Sequence, residues 1–74
     1  MNSHYYSKAR DAAFRKHHDA IMHAAMEVFS AQGYHGARLD DIAVRAGLSK
    51  GTIYCHFKDK QDLFMSILDI EEQQ

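Results

Sequence analysis

Four side chains able to offer hydrogen-bond donors or positive charge to an anion, Lys50, Tyr54, His56 and Lys60, fall close together in the chain. Gly51, Thr52 and Cys55 lie among them, and all three are small. If this stretch is helical, a turn of about 100° per residue puts Ile53 and Phe57 on one side. Gly51, Thr52 and Cys55 then form the opposite side, with Tyr54 and His56 on its two flanks. A helix with a flat floor and donor-bearing flanks is shaped to enter a DNA major groove. The flanks meet phosphate oxygens, and Lys50 at the amino end reaches a phosphate or a guanine edge. Lys60, opening the next helix, combines an ammonium with free backbone amides, which suits a phosphate.

Other chemistries fit these residues less well. Six histidines invite a metal site, but His4, His17, His18, His23, His35 and His56 include no pair at i, i+4. The single cysteine completes no zinc spacing. Cys55 and His56 are sequence neighbours pointing about 100° apart on a helix, a poor geometry for a thiolate–imidazole pair. No enzyme activity and no cofactor are expected.

The elements that must position the donors follow from apolar spacing. Ile21, Ala24, Ala25, Val28 and Phe29 repeat at i, i+3, i+4, i+7 and i+8, predicting a helix over about 11–32 that Phe14 extends. Gly33 is expected to cap it in the left-handed conformation, with Tyr34 packing back beneath. A second helix is predicted over 39–46, with Asp40 and Asp41 at the positive end of its dipole and Ile42, Ala43 and Ala46 on one side. Gly47 ends it, Ser49 caps a third helix over 50–57, and Asp59 with Asp62 caps a fourth over 60–72. That last helix buries Leu63, Phe64, Ile67 and Leu68. The fold class is all-α, a small helical bundle with a helix-turn-helix. Helices this short are marginal alone, so mutual burial must hold them.

Seventy-four residues make one small domain, with 46% hydrophobic and 26% charged residues, which excludes disorder along most of its length. The apolar runs are too short for a membrane span or a signal-peptide core, and no membrane partner is expected. One cysteine suits a reducing compartment, so a cytoplasmic location is expected. The net charge of −1 hides an asymmetry. Residues 1–60 carry all nine Lys and Arg against six acids, whereas residues 61–74 carry four acids and no base. The acidic excess therefore lies away from the proposed DNA face. Residues 1–10 lack apolar periodicity and are expected to form a mobile basic arm. With Arg15 and Lys16, its Lys8 and Arg10 would either reach a minor groove or backbone or remain solvated.

From about Asp19 to Leu68 the chain resembles the amino-terminal DNA-binding domain of the TetR family of bacterial repressors. The matching blocks are Ile21-Met22-His23-Ala24-Ala25-Met26-Glu27-Val28-Phe29, Gly33-Tyr34, Asp41-Ile42-Ala43, Ala46-Gly47-Leu48-Ser49-Lys50-Gly51-Thr52-Ile53-Tyr54, and His56-Phe57 followed by Lys60 and Leu63. The resemblance implies that residues 11–58 are a helix-turn-helix reader of double-stranded operator DNA. It also implies that 59–74 begin the connection to a further domain for dimerisation and inducer binding, missing from these residues. A homodimer and a small-molecule inducer are thus expected only for a full-length protein, most naturally a repressor.

Two departures from the family pattern stand out. The family usually has a Thr or Ser pair where this chain has Ala37 and Arg38, so a capping hydroxyl worth roughly 1 kcal/mol is absent. Arg38 can replace its phosphate bond with a charge-assisted one. Cys55 occupies a position that often reads a base with a larger side chain; a thiol is a weak donor, suited to contact with a thymine methyl. If exposed, it is also open to oxidation. The candidate DNA-binding set is Arg38, Leu39, Ser49, Lys50, Gly51, Thr52, Tyr54, Cys55, His56 and Lys60. The alternative function is a protein-interaction bundle that has lost DNA binding, using Met22, Met26, Met65 and Ile70 as its surface.

Overall fold

Apolar stripes separated by short turns produce four helices in the computed structural model, which describes residues 3–73, with side chains described from Arg10 to Asp69. They are α1 (Ser3–Gly36), α2 (Leu39–Ala46), α3 (Lys50–His56) and α4 (Lys60–Gln73), and no strand occurs among the described residues. The predicted stripe of α1 is buried from Ile21 through Ala24, Ala25 and Val28 to Phe29, whereas Phe14, expected to extend it, is 50% exposed. Helix α1 packs against both α2 and α4, and α2 packs against α3. The core closes around Ile21, Ile42, Ile53 and Leu63, one fully enclosed branched side chain from each helix. Burying a side chain of this kind contributes roughly 1.5–3 kcal/mol, which the short helices α2, α3 and α4 need in order to hold against α1.

Helix α1 corrects the expected boundaries at both ends. Its backbone is helical from Ser3 rather than from about Asp11, so most of the expected arm is helical. Residues 3–10 contain neither proline nor glycine, and propagation costs little once buried turns have nucleated the helix. Of the arm's cations, Arg10 is exposed, and the side chain of Lys8 lies outside the described residues. At the other end, Gly33 has φ 76° and ψ 170°, so it breaks the helix in an extended, positive-φ conformation instead of capping it in the left-handed one. Only glycine enters that region readily. One further turn follows, closed by the Ala37 amide donating to the Gly33 carbonyl at 3.1 Å. Tyr34 packs back as expected, its ring 5.9 Å from Phe29 and 5.0 Å from Phe64.

The turn between α2 and α3 decides how the reading helix is presented. Gly47 is left-handed (φ 72°, ψ 29°), and its amide donates to the Val44 carbonyl. The Leu48 amide reaches the Ala43 carbonyl at 2.9 Å, completing a Schellman closure in which two end carbonyls of α2 find donors. Ser49 then caps α3, its hydroxyl accepting from the Thr52 amide at 3.1 Å. Helix α3 ends at His56, one residue before the predicted end, and Phe57 is its buried, extended cap. Asp59 and Asp62 cap α4 together. Asp59 Oδ1 accepts from the Asp62 amide, and Asp62 Oδ2 accepts from the Lys58 amide, each at 2.8 Å.

The expected apolar surface is partly wrong. Met22 is buried, because α2 and α4 flank α1 and enclose a wider arc than one stripe. Met26 and Met65 remain exposed, and the side chain of Ile70 lies outside the described residues.

Candidate nucleic-acid interface

Helix α3 is held by one buried anchor and leaves the rest of its surface open. Ile53 is fully enclosed, and Phe57 beyond the helix end is 4% exposed. Gly51, Tyr54 and Cys55 are exposed, and Thr52 is half-buried. The division between a buried Ile53–Phe57 side and a small-residue floor is the one the helical spacing predicts. Tyr54 is 51% exposed, so it is a flank and not a cap on the core. Cys55 is a free, exposed thiol.

Gly51 is informative because nothing within the chain requires it. A Cβ at this position would meet only the Ser49 hydroxyl, at an ordinary 3.8 Å. Its φ is not positive, so alanine would fit the backbone as well. Glycine inside a helix costs roughly 0.5–1 kcal/mol relative to alanine. Gly51 thus weakens its helix without relieving a clash or making a turn within the chain.

The polar groups around this floor are already organised. The hydroxyls of Ser49 and Thr52 are 2.9 Å apart and hydrogen-bonded to each other. Arg38 stands at the amino end of α2 with no side-chain cap bond, as the absent hydroxyl predicts, and its side chain is exposed. It lies 3.6 Å from Asp40 Oδ2, while Lys50 Nζ lies 3.2 Å from Asp40 Oδ1. Arg38, Leu39, Lys50 and Tyr54 line one shallow cleft beside α3, with Leu39 half-buried at its base. Asp40 was expected only as a helix-dipole acid. Its bridging position depends on the turn folding α3 back on α2, which no local spacing displays.

Two candidates are directed differently from expectation. Lys60 lines the same cleft, but its ammonium turns inward and donates to the carbonyls of Tyr34 at 2.8 Å and Ala37 at 3.1 Å. It also sits 4.6 Å from the centre of the Tyr34 ring, a cation–π distance. Lys60 therefore ties α4 to the end of α1 instead of extending toward a ligand. These carbonyls follow the Gly33 break and lack helical partners, so they attract the nearest cation. His56 is half-buried, its ring stacked 4.0 Å from Phe14 and tilted against His18 at 5.6 Å, and its Nδ1 is enclosed without a partner. Burial pushes the imidazole below its ordinary range, and the nearby His18 and His17 push it the same way. It is less available to a phosphate than a flank position implies. The cause is the length of α1, which lays Phe14 and His18 over the end of α3. Phe14 was legible as part of the α1 stripe, but its partner was not.

One further link was absent from the sequence reading. Arg45 Nε donates to Glu27 Oε1 at 3.0 Å, joining α2 to α1 on an exposed surface. The bond to Arg45 lowers the Glu27 pKa and raises that of Arg45.

The model of bacterial regulatory proteins of the tetR family matches residues 21–67 of the chain. Among curated proteins, the chain is 46% identical over 52 residues to the HTH-type transcriptional regulator AcrR of Shigella flexneri, covering 70% of this chain and 24% of that one. It is 48% identical over 48 residues to the HTH-type transcriptional activator FasR of Mycolicibacterium smegmatis, covering 65% and 22%. It is 46% identical over 50 residues to the HTH-type transcriptional repressor BepR of Brucella suis, covering 68% and 24%. The chain thus spans about a quarter of the length of the curated relatives it matches. No solved structure matches it.

Proposed function

Because the chain belongs to the bacterial TetR family of regulatory proteins, we propose that it reads operator DNA by laying α3 in the major groove. The domain is a DNA-binding regulator domain with a helix-turn-helix. The observation that carries the docking mode is the exposed floor of Gly51 and Cys55, held up by Ile53 and flanked by Lys50 and Tyr54. Gly51 admits a base edge close to the backbone. Cys55 offers an apolar contact to a thymine methyl, and Lys50 meets a phosphate or a guanine edge. Arg38, the Ser49–Thr52 hydroxyl pair and the Tyr54 hydroxyl meet phosphates and fix the register. Leu39, half-buried, lines the same cleft as Arg38. His56 and Lys60 act behind this surface, one stacked under α1 and the other bound to the end of α1.

The regulatory outcome is repression, a reading supported by a relative named as a repressor at 46% identity. A relative named as an activator matches equally well, so the sign is a matter for a reporter assay. Homodimerisation and response to a small-molecule inducer belong to chain beyond this domain, in line with the much greater length of the relatives. An apolar cleft between α1 and α4, lined by Met26, Phe29, Phe64, Ile67 and Leu68, offers such chain a place to pack. No helix among the described residues is long and apolar enough to cross a membrane. A cytoplasmic location follows from the work of reading DNA.

Fluorescence anisotropy with labelled duplex DNA tests the central claim. Binding should weaken steeply between about 50 and 200 mM salt as phosphate contacts release counterions. Lys50→Ala should lower affinity. Binding that ignores salt, or that survives Lys50→Ala and Arg38→Ala together, would overturn the docking mode.

A further inference from the structure

One carboxylate holds two cations that belong to different helices. Asp40 offers Oδ2 to Arg38 at 3.6 Å and Oδ1 to Lys50 at 3.2 Å, so each oxygen serves one partner. All three groups are about half-exposed or more, and all line the cleft that Tyr54 and Lys60 complete. A phosphate presents its two non-bridging oxygens to a pair of cations in the same manner. The dipole of α2 does not account for the placement. Asp41 shares the first turn and its dipole, yet it lines a different surface with Val28, Gln32, Val44 and Arg45.

We propose that Asp40 is an intramolecular occupant of the phosphate seat formed by Arg38 and Lys50, and that it limits affinity for DNA of arbitrary sequence. The proposal rests on the DNA-binding reading above. A phosphate entering the seat must displace the Asp40 carboxylate or lie beside it, and like charges oppose both arrangements. The opposition subtracts from the sequence-independent part of binding, which phosphate contacts supply. Contacts from the α3 floor to base edges are untouched. Asp40 therefore lowers affinity by about the same factor on every DNA sequence, and it acts as a built-in brake on phosphate engagement by Arg38 and Lys50.

The test compares the chain with Asp40→Asn and Asp41→Asn on a scrambled-sequence duplex across a salt series. Asparagine preserves the shape of Asp40 at an exposed site, and a circular dichroism melt checks that folding is unchanged. Asp40→Asn should bind about five- to tenfold more tightly at low salt, with a salt dependence steeper by about one unit. Asp41→Asn should gain less than about twofold, since a charge outside the seat acts only through screened distance. Equal or weaker binding by Asp40→Asn overturns the proposal, as do equal gains from both variants. A parent that binds while Asp40→Asn gains nothing removes only this proposal. Salt-independent binding, or none, by both parent and Asp40→Asn removes the DNA-binding reading and the proposal with it.

Discussion

Replacing Gly51 by alanine should move stability and DNA affinity in opposite directions. The added methyl would lie 3.8 Å from the Ser49 hydroxyl and touch nothing closer, so the folded chain accommodates it without rearrangement. Alanine also removes part of the backbone entropy that glycine loses on folding. In a first-turn position, where the backbone is only partly held, the gain is about 0.5 kcal/mol. For a domain of this size that raises the melting temperature by roughly 2–4 °C. On DNA the same methyl stands on the exposed floor of α3, where a base edge has to approach. If its accommodation costs what overpacking a tight contact costs, about 1–3 kcal/mol, affinity falls roughly five- to more than a hundredfold. Thermal melts and anisotropy titrations on one protein preparation measure both quantities. A lower melting temperature would mean that glycine serves the fold. Unchanged affinity at a raised melting temperature would mean that nothing approaches Gly51 closely, and the docking of α3 would have to be redrawn.

Other perturbations test separate parts of the molecule. Ile53→Ala empties a fully enclosed site and should cost about 2–5 kcal/mol, a large part of a small domain's stability; a melt within a degree or two of the parent would refute its anchoring role. Arg38→Ala should weaken binding about equally on all sequences and lower the salt slope by roughly one unit; an effect confined to one base position would contradict a phosphate role. Cys55→Ser should leave affinity within about a few-fold, because a thiol contributes little hydrogen-bonded readout; a hundredfold loss would make it a principal reader. His56 carries a pH dependence whose sign is fixed by burial. Its folded pKa lies below the ordinary value of 6.5, so the unfolded chain takes up the proton first as pH falls. The contribution of His56 to stability is complete above that ordinary value, declines as pH drops through it, and is lost below the folded pKa. The melting temperature should therefore fall from about pH 7.5 to 5.5, and His56→Gln should flatten that fall; an equally steep fall in the variant would exonerate His56.

The sequence by itself determined the number and order of the helices and the main buried side of each. Those features depend on interactions within one turn or one period: the α1 stripe from Ile21 to Phe29, the left-handed Gly47, the Ser49 cap, and the opposition of Ile53 to Gly51 and Cys55. The ordered blocks around Gly47 and Ile53 were likewise enough to indicate the family, because the helix-turn-helix is a local motif. Tertiary structure decided which polar groups meet. Asp40 bridges Arg38 and Lys50 only once the turn at Gly47 folds α3 against α2. Lys60 turns from solvent to the carbonyls of Tyr34 and Ala37 because α4 returns along the broken end of α1. His56 is covered because α1 extends far enough to place Phe14 on it. Helix periodicity gives the direction of a side chain relative to its own axis. The partner awaiting a long, flexible cation or an imidazole depends on how separate axes cross, and that is settled by packing.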